Sequence, residues 1–172
     1  YSLAAIKGLV ETKPFQLLLD SPARAQELMA DGQFAAKCAA QAFWPGPLTM
    51  VVPASSHLPS NMQPLKERLY PEGSLGLRVP KVPALTEAIS QCGGILVASS
   101  ANTAGHAPPS ALEEVSASLI EAIDGVYMPD MKQPPASGVA SSVVRFAGRF
   151  WKVLRPGAIS AEELKAVCNY DK

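Results

Sequence analysis

Ile95-Leu96-Val97-Ala98 is an apolar run that opens directly into Ser99-Ser100-Ala101-Asn102-Thr103-Ala104-Gly105, a stretch of hydroxyls, one amide and small side chains. If the run is a strand, these groups lie at its carboxyl end, where open α/β sheets hold ligands. Small residues let backbone N–H groups approach a phosphate, and a helix starting at Ser110 adds a dipole that favours an anion. A tight turn followed by a helix cap accounts for the same residues, and local pattern alone favours that plainer account. Arg78 sits inside the apolar run Leu75–Val79, where a guanidinium needs either an anionic ligand or a structural ion pair. Arg155, ahead of Pro156-Gly157, has turn carbonyls within reach, and Lys7 and Lys13 have the solvated surface open to them, the usual fate of lysine. His57 and His106 are too isolated to argue a metal site, and Cys38, Cys92 and Cys168 show neither a zinc spacing nor a disulfide framework. The cysteines read as core residues.

These residues depend on alternating elements for their placement. Phe15–Leu19 reads as a buried strand, followed by a helix capped by Ser21 with Pro22 at its first position and Ala25, Leu28 and Met29 at helical spacing. Asp31-Gly32 interrupts, Phe34–Phe43 is an Ala-rich helix, and Pro45-Gly46-Pro47 stops it before a strand over Leu48–Val52. Residues 53–73 form a polar excursion, in the position of a lid. Leu75–Val79 is a strand, Val82–Gln91 a helix, and Ile95–Ala98, apolar on both faces, a central strand. Ser110 with Glu113 predicts a capping box for a helix over Ala111–Ile123, and Gly125–Met128 is a further strand candidate. Ser141–Phe146 and Phe150–Leu154 predict a hairpin across Ala147-Gly148-Arg149, and Ser160 with Glu163 caps a final helix. The class is α/β with a mixed parallel/antiparallel sheet and flanking helices.

At 172 residues the chain has the size of one domain. Fifteen basic residues balance fifteen acidic ones, which argues against a dedicated nucleic-acid binder. The apolar runs are too short to span a bilayer as helices, and the odd, scattered cysteines fit a reducing, cytoplasmic setting. No membrane association is expected.

Six segments occur together in order: Lys7-Gly8 with Lys13-Pro14, Trp44-Pro45-Gly46-Pro47-Leu48-Thr49, Leu77-Arg78-Val79-Pro80, Ser100-Ala101-Asn102 with Gly105, Ser141-Ser142-Val143-Val144, and Leu154-Arg155-Pro156-Gly157-Ala158-Ile159. In this order and spacing the chain resembles the YrdC-like domain family of threonylcarbamoyl-AMP synthases, over nearly its whole length. The resemblance implies a single YrdC-like domain over residues 1–172. It also implies condensation of L-threonine, bicarbonate and ATP into threonylcarbamoyl-AMP, a nucleotidyl transfer that uses ATP as substrate with Mg²⁺. The product would serve the t6A modification of tRNA, through a separate complex of threonylcarbamoyl-transfer proteins. Carried over by position, Lys7 and Arg78 are the catalytic residues. Lys7, Lys13, Ser74, Ser100, Asn102, Ser110 and Arg155 hold ATP, and Arg78 and Ser141 hold threonine.

Two departures stand out. The family's Lys-x-Arg motif reads Lys7-Gly8-Leu9 here, and losing a charged hydrogen bond of that kind costs about 1.5–3 kcal/mol. The family's N-terminal Pro-Thr-Asp/Glu-Thr-x-Tyr-Gly-Leu strand has no counterpart from Tyr1 onward, so the domain is expected to be N-terminally incomplete. A catalytically impaired nucleotide- or RNA-binding module on the same fold is the second reading, favoured by these departures. A carbamoyltransferase domain is the third, since related domains occur in hydrogenase-maturation proteins.

Overall fold

The computed structural model describes residues 6, 15–58, 62, 73–102, 109–127 and 138–168. Two compact units divide the chain. The larger comprises residues 14–98 and 139–172, the smaller 1–13 and 99–138.

The larger unit is built on a six-stranded sheet. Its strands are β1 (Gln16–Leu19), β2 (Leu48–Pro53), β3 (Ser74–Arg78), β4 (Ile95–Ala98), β5 (Ser142–Ala147) and β6 (Phe150–Arg155), in spatial order β4-β1-β3-β2-β5-β6. β1 pairs with β3, and β2 with β5, in parallel; the other pairings are antiparallel, so the sheet is mixed as the sequence predicts. Period-2 alternation turns Leu17 and Leu19, Leu48, Met50 and Val52, Leu75 and Leu77, and Val144 and Phe146 into one core. Helices α1 (Pro22–Leu28), α2 (Phe34–Phe43) and α5 (Ala161–Cys168) contribute Ala25 and Leu28, Ala35, Ala36 and Ala39, and Leu164 and Cys168 to the same core. Small alanines on α2 let its backbone approach closely. Helix α3 (Pro83–Gln91) packs beside β1 and β4.

The local signals explain most of these boundaries. Ser21 Oγ accepts from Arg24 N at 3.4 Å with Pro22 next in line, which starts α1. Ser160 and Glu163 close a reciprocal capping box, Ser160 N donating to Glu163 Oε2 at 2.8 Å and Glu163 N to Ser160 Oγ at 3.2 Å. Gly148, at φ +63°, supplies the positive φ that a two-residue hairpin loop between Ala147 and Phe150 needs.

Three expectations are corrected. β4 is an edge strand among the described residues, with Val97 38% exposed; apolarity on both faces reports on what covers the sheet, not on whether a strand has two neighbours. In the smaller unit the helix expected over Ala111–Ile123 is a 3₁₀ turn at Leu112–Glu114 followed by a short α4 at Ala117–Glu121, because Val115 is extended. Its only deeply buried side chain is Leu119, so little packing favours a continuous helix. Gly125, Val126 and Tyr127 form no strand, and Met128 lies outside the described residues, as does most of the 53–73 excursion.

Candidate functional site

Thr49 is a hydroxyl in an apolar strand, yet it is only 4% exposed. A buried hydroxyl needs partners, and Thr49 has two: Thr49 Oγ1 donates to Gln16 Oε1 at 3.2 Å and lies 3.1 Å from Ser141 Oγ. Ser141, itself buried just before β5, accepts from Arg155 Nη2 through its carbonyl oxygen at 2.7 Å and its Oγ at 3.1 Å. Arg155 thus satisfies the Ser141 carbonyl rather than those of its own turn.

The chain after β6 is stitched to the chain before β5. Ser142 Oγ donates to the Ile159 carbonyl at 2.6 Å and accepts from Ile159 N at 2.9 Å, while Ala158 N donates to the Ala140 carbonyl at 3.0 Å. Gly157 lies so close to this segment that a Cβ there would collide with the Ala140 carbonyl oxygen and sit 2.6 Å from the Ser141 carbonyl carbon. The Arg-Pro-Gly turn holds Ser141 and Arg155 in register.

Arg78 closes β3, half-buried. Its Nε donates to the Gly46 carbonyl at 3.1 Å, within a turn fixed by Trp44 Nε1 donating to the Leu48 carbonyl at 2.7 Å and Gly46 N to the Val79 carbonyl at 2.9 Å. The Trp44–Pro45 peptide in this turn is cis. Burial and then the charge of Arg155 lower the pKa of Arg78. Among the described residues the ion pairs are Arg24 with Asp20 and Arg24 with Glu27, so the structural ion pair that would have explained Arg78 is not found there. The charge of Arg155 is felt at Arg78, and the Ser141 hydroxyl lies beside Arg155; guanidiniums are groups able to receive an anion.

Ser74 starts the same strand. It shares a sheet face with Arg78, since Leu75 and Leu77 alternate into the core, but four residues of strand separate the two by about 13 Å. In the smaller unit, Ser100 Oγ donates to Asn102 Oδ1 in a short contact, and Ser110 N donates to Glu114 Oε2 at 2.7 Å. Glu114, not Glu113, therefore reaches back to the serine. A mainly apolar recess of about 330 Å³ in this unit is lined by residues that include Ser100, Leu112, Leu119 and Tyr127. A larger recess of about 560 Å³ in the other unit, edged by Pro45, Pro80, Lys81 and Pro83, contains none of the expected site residues.

Lys7, Leu9, Lys13 and His106 lie outside the described residues. His57 is exposed and pairs with Ser56 Oγ at 3.0 Å. Of the cysteines, Cys168 is buried as expected, Cys38 partly so, and Cys92 is exposed, which corrects its assignment to the core. Sequence reasoning missed Thr49 and Gln16 as members of the cluster. The signal for Thr49 was a polar residue at a buried strand position, but its partners are 33 and 92 residues away.

A family model for Sua5, YciO and YrdC, described as telomere recombination, matches residues 1–157. The chain belongs to the Sua5/YciO/YrdC family. A Mycobacterium tuberculosis relative that carries the provisional name threonylcarbamoyl-AMP synthase is 31% identical over 99% of this chain and 74% of its own length. The Bacillus subtilis threonylcarbamoyl-AMP synthase is 28% identical over 94% of this chain and 44% of its own. Solved structures of the family share the fold. P. abyssi Sua5 complexed with L-threonine superimposes with TM-score 0.75 at 24% identity, over 96% of this chain and 46% of that one. E. coli YciO does so with TM-score 0.69 at 16% identity, over 95% and 75%.

Proposed function

We propose that residues 1–172 form the YrdC-like domain of an L-threonylcarbamoyladenylate synthase, acting on L-threonine, bicarbonate and ATP. The observation that carries this reading is the placing of Arg155 on Ser141, at 2.7 Å from its carbonyl oxygen and 3.1 Å from its Oγ, with Arg78 half-buried at the end of β3 and neither arginine paired with a carboxylate among the described residues. In this reading the Arg78 guanidinium fork receives the carboxylate of threonine. The names of the relatives support the choice of amino acid and product.

In this reading bicarbonate takes up a proton and loses water to give CO₂, and the threonine amine captures the CO₂ as a carbamate with release of a proton. A carbamate oxygen then bonds to the α-phosphorus of ATP as the bond from that phosphorus to the bridging oxygen breaks, and pyrophosphate leaves. Arg78 and Ser141 orient the threonine. Arg155, Ser74, Ser100, Asn102 and Ser110 serve the nucleotide, and Lys7 and Lys13 its phosphates. The protein supplies position and positive charge rather than a general base. Mg²⁺ would arrive on ATP, as is usual for this ion. The product would pass to tRNA through separate transfer proteins in the cytoplasm; no helix among the described residues is long and apolar enough to cross a membrane.

The test is mass-spectrometric detection of threonylcarbamoyl-AMP after incubation with ATP, Mg²⁺, threonine and bicarbonate, with Leu9→Arg in parallel. Product from the chain as it stands is expected. Product from Leu9→Arg alone would identify Leu9 as the lesion in a competent site. No product from either folded protein, with nucleotide or RNA still bound, would favour the non-catalytic module that Leu9 suggests.

A further inference from the structure

The hydroxyls of Thr49 and Ser141 lie in a line whose two ends differ in kind. At one end Arg155 can only donate, so Ser141 Oγ accepts from Nη2 at 3.1 Å. At the other end Thr49 Oγ1 spends its single proton on Gln16 Oε1 at 3.2 Å. Thr49 can therefore only accept across the 3.1 Å contact with Ser141, which takes the Ser141 proton. Ser141 is left with one lone pair and no proton to offer.

We infer that Gln16 and Thr49 are positioning residues that fix the direction of the Ser141 hydroxyl, so that Ser141 selects a hydrogen-bond donor on the amino-acid substrate. This rests on the proposed reading only in taking Ser141 as a threonine contact. The donor is the substrate's side-chain hydroxyl or its amine. An acceptor-only Ser141 disfavours a carboxylate oxygen at the same spot and leaves that group to the arginines. The relay thereby sets which end of the amino acid faces which wall. Both Thr49 and Ser141 are buried, so competing water is scarce and the direction persists.

The experiment is calorimetric binding of L-threonine and of L-2-aminobutyrate, which lacks the hydroxyl, to the full chain and to a double-mutant cycle of Thr49→Val and Ser141→Ala. Thr49→Val is expected to weaken threonine about three- to tenfold, the size of one neutral hydrogen bond. It should have no further effect once Ser141→Ala is present, and Thr49→Ser should restore binding. If 2-aminobutyrate is unaffected by Thr49→Val, the donor is the hydroxyl; if both ligands weaken equally, it is the amine. Equal weakening by Thr49→Val with and without Ser141→Ala would mark Thr49 as merely structural and overturn the inference, as would no weakening at all. Failure of the unsubstituted chain to bind threonine would remove the proposed function, and this inference with it.

Discussion

Replacing Arg78 by methionine separates a ligand-binding role from a structural one, because the two predict different outcomes for the free protein and for threonine affinity. The substitution keeps an unbranched side chain of comparable length and removes the charge. It gives up the 3.1 Å bond from Nε to the Gly46 carbonyl, which, as a charged bond, is worth about 1.5 kcal/mol. It also relieves the burial of a cation and its repulsion by Arg155, the two causes that lower the Arg78 pKa. Replacing a buried ion pair by well-packed apolar residues is commonly neutral to stabilising by about 1–4 kcal/mol, and a cation without a carboxylate partner has no ion-pair attraction to lose. Arg78 is only half-buried, so solvent screening argues for the lower half of that range. The net expectation for the free protein is about −0.5 to +1 kcal/mol, or a Tm between roughly 2 °C lower and 4 °C higher. Threonine affinity should fall about 10- to 150-fold, the equivalent of one charged hydrogen-bonded contact at about 1.5–3 kcal/mol. Thermal unfolding with and without threonine reads both quantities, since saturating ligand raises Tm only where it binds. A Tm lowered by more than about 4 °C, with threonine affinity kept within about twofold, would show that Arg78 serves the turn at Gly46 and would refute the reasoning.

Gly157→Ala should drive a methyl group against Ala140–Ser142, lowering stability by about 1–3 kcal/mol in denaturant titrations and weakening threonine binding alongside. The carboxyl of Glu163 is held below its ordinary 4.5 by the backbone and side-chain hydrogen bonds to Ser160. Its contribution is therefore present above 4.5 and lost as pH falls through the lower folded value. The Tm advantage of the unsubstituted chain over Glu163→Gln should shrink between pH 6 and pH 3, conditions of about the range where carboxylates titrate; a constant gap would contradict the capping box. Burial, then the neighbouring Cys38, push the Cys168 thiol up to about 11. Alkylation near neutral pH followed by peptide mapping should label exposed Cys92 and spare Cys168 until denaturant is added.

Two identical-looking signals in this chain met different fates, which shows where sequence reading succeeds. Ser160 with Glu163 starts a true helix because Leu164 and Cys168 then bury against the core. Ser110 with Glu113 has the same spacing, but only Leu119 is deeply buried beyond it, and the segment breaks at Val115. Capping is local and legible; the packing that decides whether a helix continues is not. The same division runs through the site. Arg78 is conspicuous as a charge in an apolar strand, and the Leu-Arg-Pro-Gly segment carries Arg155 in plain view. The Thr49–Ser141 contact is invisible from either residue alone, because it exists only through the parallel pairing of β2 with β5. For β4, the apolar residues were read correctly as a strand, but strand order is a property of the whole sheet.

That parallel pairing also governs when the hydroxyl cluster can come into being. Leu48 lies opposite Ser142, and the hydroxyl contact beside them spans 92 residues of chain, so the Gln16–Thr49–Ser141–Arg155 line closes only with the longest-range strand pairing of the sheet. During synthesis, the first three-quarters of the chain carries Gln16, Thr49 and Arg78 with nothing to complete them. A ligand that needs Ser141 and Arg155 cannot guide those early steps. It can only hold the finished sheet together, acting as a brake on unfolding rather than a template for folding.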